Sequence, residues 1–220
     1  MKHYFSIFFF LVLIVYLVSG SAYAQPASVW LGAHAGADIG TISTAPAPSD
    51  GETITSKNGI AIGAEGDYWL SDNIGICVQL AYVQKGATDN LDGESFSLAF
   101  WYLQMPVLLK ATFGSGPVKP FFFAGPEIGF KLSAKESGKF EGRDTTADLP
   151  DSVITKLNIG IFLGAGITYI LNPETMLFLQ AGYDYGLSNI YSQFGNSPGG
   201  EDKIFTRDIR ASLGILFRIE

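Results

Sequence analysis

From residue 28 onward, the apolar residues of this chain recur at every second position in eight stretches. The segments that join those stretches alternate strictly between long and short. A period of two is the side-chain period of a β-strand with unlike faces, and it places strands near 28–40, 57–70, 74–86, 96–113, 119–133, 153–170, 175–188 and 206–219. Three connections are tight, at 71–73, 114–118 and 172–174, whereas 41–56, 87–95, 134–152 and 189–205 are long and polar. A soluble sandwich has no reason to gather every long loop at one end. A transmembrane barrel does, because its two ends meet different compartments, with short periplasmic turns and longer extracellular loops. The expected fold is therefore all-β, an eight-stranded antiparallel up-and-down transmembrane barrel with a packed polar interior.

The two faces of each strand support this reading. One face is apolar, as in Ile60, Ile62, Ala64 and Tyr68, or in Leu157, Ile159, Ile161, Leu163 and Ile167. Such runs match the ~9–11 residues with which a tilted strand crosses a bilayer. The other face carries His34, Asp38, Glu65, Asp67, Gln79, Lys85, Gln104, Lys110, Glu127, Lys131, Gln180, Asp184, Asp208, Arg210 and Arg218, interspersed with glycines. Eight strands enclose a space just wide enough for side chains to fill. Six acids, Asp38, Glu65, Asp67, Glu127, Asp184 and Asp208, then face Lys85, Lys110, Lys131, Arg210 and Arg218, close to balance, as an interior charge network. Asp184 is expected to pair with Arg210 on the neighbouring last strand, because charges inside a lipid-bounded wall need partners.

Aromatic residues sort by height. Tyr68, Trp69, Phe113, Tyr169 and Phe217 fall near the short turns, and Tyr82, Phe100, Trp101, Tyr183 and Tyr185 fall toward the long loops. Two belts of this kind are expected at the two bilayer interfaces.

The segment before the first strand has a different character. Lys2, the apolar run 5–18 and the small-residue site at 22–24 have the three-part layout of a secretory signal peptide. Cleavage is expected after Ala24, leaving a single domain over 25–220. Removing Lys2 takes the net charge from −7 to −8, which disfavours nucleic acid as a partner. Twelve acids against four cations place that whole charge in the four long loops. They read as a solvated surface, without the ligand spacing of a calcium loop.

Several stretches resemble the PorT-like family of small outer-membrane β-barrel proteins of Bacteroidetes: "YVQKGA" (82–87), "YLQMPVLLK" (102–110), "KPFFFAGPEIGF" (119–130), "LGAGITY" (163–169) and "YDYGLSNI" (183–190). The resemblance implies an eight-stranded barrel in the outer membrane of a Gram-negative cell. It implies no catalytic residue, and it suggests envelope or secretion proteins as partners beside the outer-membrane lipid.

The residues themselves point to no catalysis, cofactor or metal. His34 and Asp38 share one face but stand four residues apart, roughly 13 Å at the strand rise, too far for a catalytic pair. Cys77 reads as a small buried hydrophobe, and one cysteine with scattered carboxylates makes no recognisable metal set. Pro106 and Pro126 lie ten residues either side of Gly116, yet by parity they face opposite sides of the sheet. A bulge or a one-residue offset is expected in that hairpin. The last strand also resembles the C-terminal signal read by the bacterial barrel-assembly machinery, in Ser212, Gly214, Phe217 and Ile219, with Glu220 trailing the usual terminal aromatic.

Overall fold

The structure, a computed structural model, describes residues 28–45, 53–91, 94–140, 143–149, 154–190 and 203–219. The expected signal peptide and its cleavage site lie outside the described residues, as do Asp50, Glu52, Asp92, Glu141, Asp151, Glu201, Asp202 and Glu220. Among the described residues nine strands form: β1 (Ser28–Ala45), β2 (Thr53–Trp69), β3 (Ile74–Leu91), β4 (Glu94–Thr112), β5 (Val118–Phe140), β6 (Arg143–Asp148), β7 (Leu157–Asn172), β8 (Thr175–Gly186) and β9 (Lys203–Arg218). Neighbours follow the order β4-β3-β2-β1-β9-β8-β7-β5, all antiparallel, and β4 also pairs with β5. The ring is thereby closed, and no stave of the barrel leaves an open edge. Eight strands build the wall, and β6 is an appendage that pairs with the upper part of β5.

The strands are longer than the sequence pattern suggested, and they grow at one end only. β3 and β4 stay paired up to Leu91 and Glu94, across most of the segment expected to be a loop at 87–95. β5 continues to Phe140 and folds back as β6, inside the segment expected to be a loop at 134–152. Above the bilayer both faces of a strand meet water, so the hydrogen-bonded ladder persists while the apolar alternation that betrays it fades.

The short turns are locally determined. Ser71 Oγ accepts the backbone N–H of Ile74 at 3.1 Å, and Asn172 Oδ1 accepts that of Glu174 at 2.9 Å. Gly114, between β4 and β5, has φ of 90°, a conformation open to glycine and costly for a side chain.

Burial is inverted relative to a soluble protein. Ile62 (57%), Leu109 (57%), Phe122 (61%), Leu179 (52%) and Leu213 (60%) are exposed on the outer wall, while Asp38, Glu65, Lys85, Lys110 and Arg210 are each at most 2% exposed inside it. A continuous apolar band of this size does not stay in water on a monomer. It is the surface that lipid covers.

The β4–β5 hairpin confirms the offset expected of its prolines. Pro106 stands opposite Glu127, one residue from Pro126. The ladder omits the pairs around Gln79 and Leu80 where Pro106 faces β3, and around Val107 and Leu108 where Pro126 faces β4. Each proline lacks the N–H that the rung needs. The register shift itself lies higher, at Trp101/Tyr102.

Candidate functional site: the filled barrel interior

Alternation along each strand sends one residue in two into the lumen, and the register sets the height of each. Two charged layers result. In the lower one, Lys110 of β4 donates to Glu65 at 3.1 Å and to Asp67 at 2.8 Å, both on β2. Gln79 of β3 donates its amide to Glu65 at 2.9 Å. The Lys110 ammonium also lies 4.6 Å from the ring centre of Phe121 and 5.4 Å from that of Phe178. Aromatic faces and carboxylates together replace the water this cation gave up.

The upper layer is larger. Lys85 of β3 pairs with Asp184 of β8, with Asp208 of β9 at 2.6 Å, and with Glu127 of β5 at 4.0 Å. Arg210 of β9 reaches Asp38 at 3.4 Å, Glu127 at 3.5 Å and Asp184 at 3.9 Å. It also donates to Gln104, whose own amide donates to Glu127 and, at 3.2 Å, to Asp184. The guanidinium lies 4.7 Å from the centre of the Phe162 ring. The expected Asp184–Arg210 pair is present, but Lys85 is the closer partner of Asp184.

Two of the expected network members lie outside the two charged layers. Arg218 is exposed at the short-turn rim, beyond the last lumenal residue of β9, Leu216. Lys131 is half-buried and donates to the backbone carbonyl of Ile154 at 2.7 Å. The lumen therefore does not carry the near balance expected from the sequence. Among the described residues its fully buried charges are six carboxylates against three cations, Lys85, Lys110 and Arg210. Parity identifies the face of a residue but not the height at which the wall ends, and both misplaced cations sit near an end.

Apolar side chains pack among and around these charges in two clusters. Below, Trp30, Leu108, Phe121, Phe123, Phe162, Met176, Phe178 and Leu216 pack as one cluster with Cys77. Above, Phe100, Tyr102, Ala134, Ile154 and Ile190 form a second cluster, with Leu98, Leu149 and Ile204 against it. These apolar clusters interleave with the charged layers, Phe121 and Phe178 facing the Lys110 ammonium and Phe162 facing Arg210, so that side chains fill the lumen among the described residues. A cavity of about 550 Å³ opens at the short-turn mouth, lined by Trp30, Trp69 and Met176 among others.

His34 lies inside this packing, 3% exposed, with its ring 6.5 Å from that of Phe178. Among the described residues neither ring nitrogen has a hydrogen-bond partner, and the imidazole faces the lumen rather than the lipid. Cys77 is buried, and its sulfur lies within 4.8 Å of carboxylate oxygens of Glu65 and Asp67. The Lys110 ammonium already pairs with both carboxylates, so a metal ion would have to displace a buried cation from this trio. In the segment expected to carry the assembly signal, Phe217 and Ile219 are exposed on the outer wall, while Ser212 and Gly214 face the lumen, Ser212 accepting from Gln180 at 3.3 Å.

Arg207 escaped the sequence reading. It shares its parity with Ile209 and Leu213 and so faces outward, and that parity was the signal available to find it.

A family description, "Outer membrane protein beta-barrel domain", matches residues 23–192. Among solved structures, the fold is similar to the outer membrane protein OprG from Pseudomonas aeruginosa: 15% identity, 88% of this chain and 96% of that one covered, TM-score 0.51. Neisserial surface protein A is similar at 16% identity, with 88% and 99% coverage and a TM-score of 0.49. At such identities the likeness concerns the fold alone. No curated protein matches the chain. With a closed wall, a lipid-facing apolar band and a family match over most of its length, this chain belongs to the outer membrane protein beta-barrel domain family.

Proposed function

We propose that this protein is a small, non-enzymatic outer-membrane barrel whose filled wall holds surface hairpins for interaction outside the cell. The observation that carries the reading is the lumen, which two charged layers and two interleaved apolar clusters fill. A lumen packed in this way supports a scaffold rather than a pore. What the scaffold presents is the paired extension of β3 with β4 and of β5 with β6, on the side of the long acidic connections. Its partners are outer-membrane lipid, the barrel-assembly machinery during insertion, and proteins of the envelope or cell surface.

Three measurements test this. In planar bilayers the purified barrel leaves the membrane as insulating as bare lipid, and discrete openings would contradict the scaffold reading. Cross-linking from outside the cell captures partners through the β5–β6 hairpin, and a variant lacking residues 135–148 loses them. Lipid A mass spectra are expected to be identical with the wild-type barrel and with His34→Ala.

A second reading is an accessory of protein secretion or envelope assembly. It rests on the PorT-like segments, chiefly "YLQMPVLLK" and "KPFFFAGPEIGF". A deletion strain that secretes and moves normally would exclude it.

A further inference from the structure

Outward-facing positions of the eight staves are apolar, aromatic, small or neutral through the whole band between the two aromatic belts. Arg207 of β9 breaks this pattern. Going up the outer faces from the short turns, it is the first charged side chain met among the described residues, and Lys135 and Lys203 lie farther toward the long loops. Its height can be placed. Ten residues separate Arg207 from Phe217 in the lower belt, and a strand rising ~3.3 Å per residue at a tilt of about 40° climbs about 25 Å over them. That equals the height of the apolar band of an outer-membrane barrel, so Arg207 stands where acyl chains give way to headgroups in the outer leaflet.

The side chain is held there in a fixed pose. Its guanidinium carbon lies 3.8 Å from the centre of the Tyr185 ring, its cross-strand neighbour, and 5.6 Å from that of Phe205. Nη1 donates to the backbone carbonyls of Gly186 at 2.6 Å and Thr206 at 2.7 Å. Those bonds fix the plane and leave the donors of Nε and Nη2 uncommitted among the described residues. Lys85, Lys110 and Arg210 take the buried carboxylates of the lumen, and Arg207 has no carboxylate partner among the described residues. A planar cation, stacked on an aromatic ring and lacking a carboxylate partner at a lipid interface, matches the bidentate geometry of a phosphate.

We propose that Arg207, backed by Tyr185 and Phe205, binds the phosphate of a phosphorylated lipid headgroup in the outer leaflet. This rests on the barrel spanning the outer membrane as described above.

The test uses the full-length mature barrel in nanodiscs of phosphatidylcholine doped with either bis-phosphorylated or dephosphorylated lipid A, with retained lipid counted by native mass spectrometry. Wild type is expected to retain the phosphorylated form at least several-fold more than the dephosphorylated one. Arg207→Gln removes that preference, Arg207→Lys keeps part of it, and Lys135→Ala leaves it intact. Heat-modifiable migration on gels reports barrel formation independently, so loss of the fold is distinguished from loss of the site. Equal retention of the two lipids by a folded wild-type barrel overturns the proposal, as does an unchanged preference in folded Arg207→Gln. Release of the phosphorylated lipid by millimolar inorganic phosphate assigns the site to free phosphate and also overturns it.

Discussion

Asp38 on the first strand and Arg210 on the last stand directly opposite each other across the closing seam, and their side chains meet at 3.4 Å inside the lumen. The seam joins the segments farthest apart in the chain, and a fully desolvated pair marks its register. Slipping β9 by one residue would turn Arg210 out into the lipid.

Arg210 also serves Glu127 and Asp184. Truncating it strands carboxylates in a dry interior, and breaking a buried pair from one side costs ~3–5 kcal/mol. Arg210→Met is expected to lower barrel stability by that order, read from urea unfolding in lipid vesicles. Arg210→Lys should recover part of the loss, because charge is restored without the planar fork.

At the same seam, β1 and β9 approach closely at Gly36. A Cβ there would lie 2.7 Å from the Cα of Ser212 and would press on the Ala211 carbonyl. Gly36→Val should prevent the compact, heat-modifiable form from appearing on gels. Ala35→Val, one residue away on the exposed outer face, should fold normally.

The rung missing at Pro106 predicts a local soft spot. Backbone amides of β3 around Gln79 and Leu80 should exchange faster than those of Ala81 to Val83 in the refolded barrel, measured by mass spectrometry of deuterium uptake. Pro106→Ala restores a donor and should narrow the difference.

Phe217 stands opposite Leu31 on β1 and Thr175 on β8, and it is exposed to the lipid with Ile219. Deleting residues 217–220 is expected to block insertion in cells, seen as accumulation of unfolded protein in the periplasm. Refolding of the same variant into detergent should be far less affected, because the assembly machinery is not needed there. Equal loss in both settings would locate the role of this segment in the wall rather than in recognition.

Much of this was legible from residues alone. The lumenal positions of Asp38, Glu65, Asp67, Lys85, Lys110, Glu127, Asp184, Asp208 and Arg210 follow from parity. So do the eight staves and the offset between Pro106 and Pro126. The extensions of β3, β4 and β5 were not legible, because strands wet on both faces lose their alternation. Arg218 and Lys131 were misplaced for a related reason: parity names a face, and the ends of the lumen are set by tilt and stagger.

The sequence by itself determined which side of the wall each residue faces, because a two-residue period written in lipid-facing apolar side chains leaves one solution for a closed sheet. Only the tertiary structure decided which charges meet, how the apolar clusters interleave with them, and which ring and carbonyls hold Arg207. Those relations join strands distant in the chain, and their partners are fixed by the register and shear of the closed ring, which no local pattern encodes.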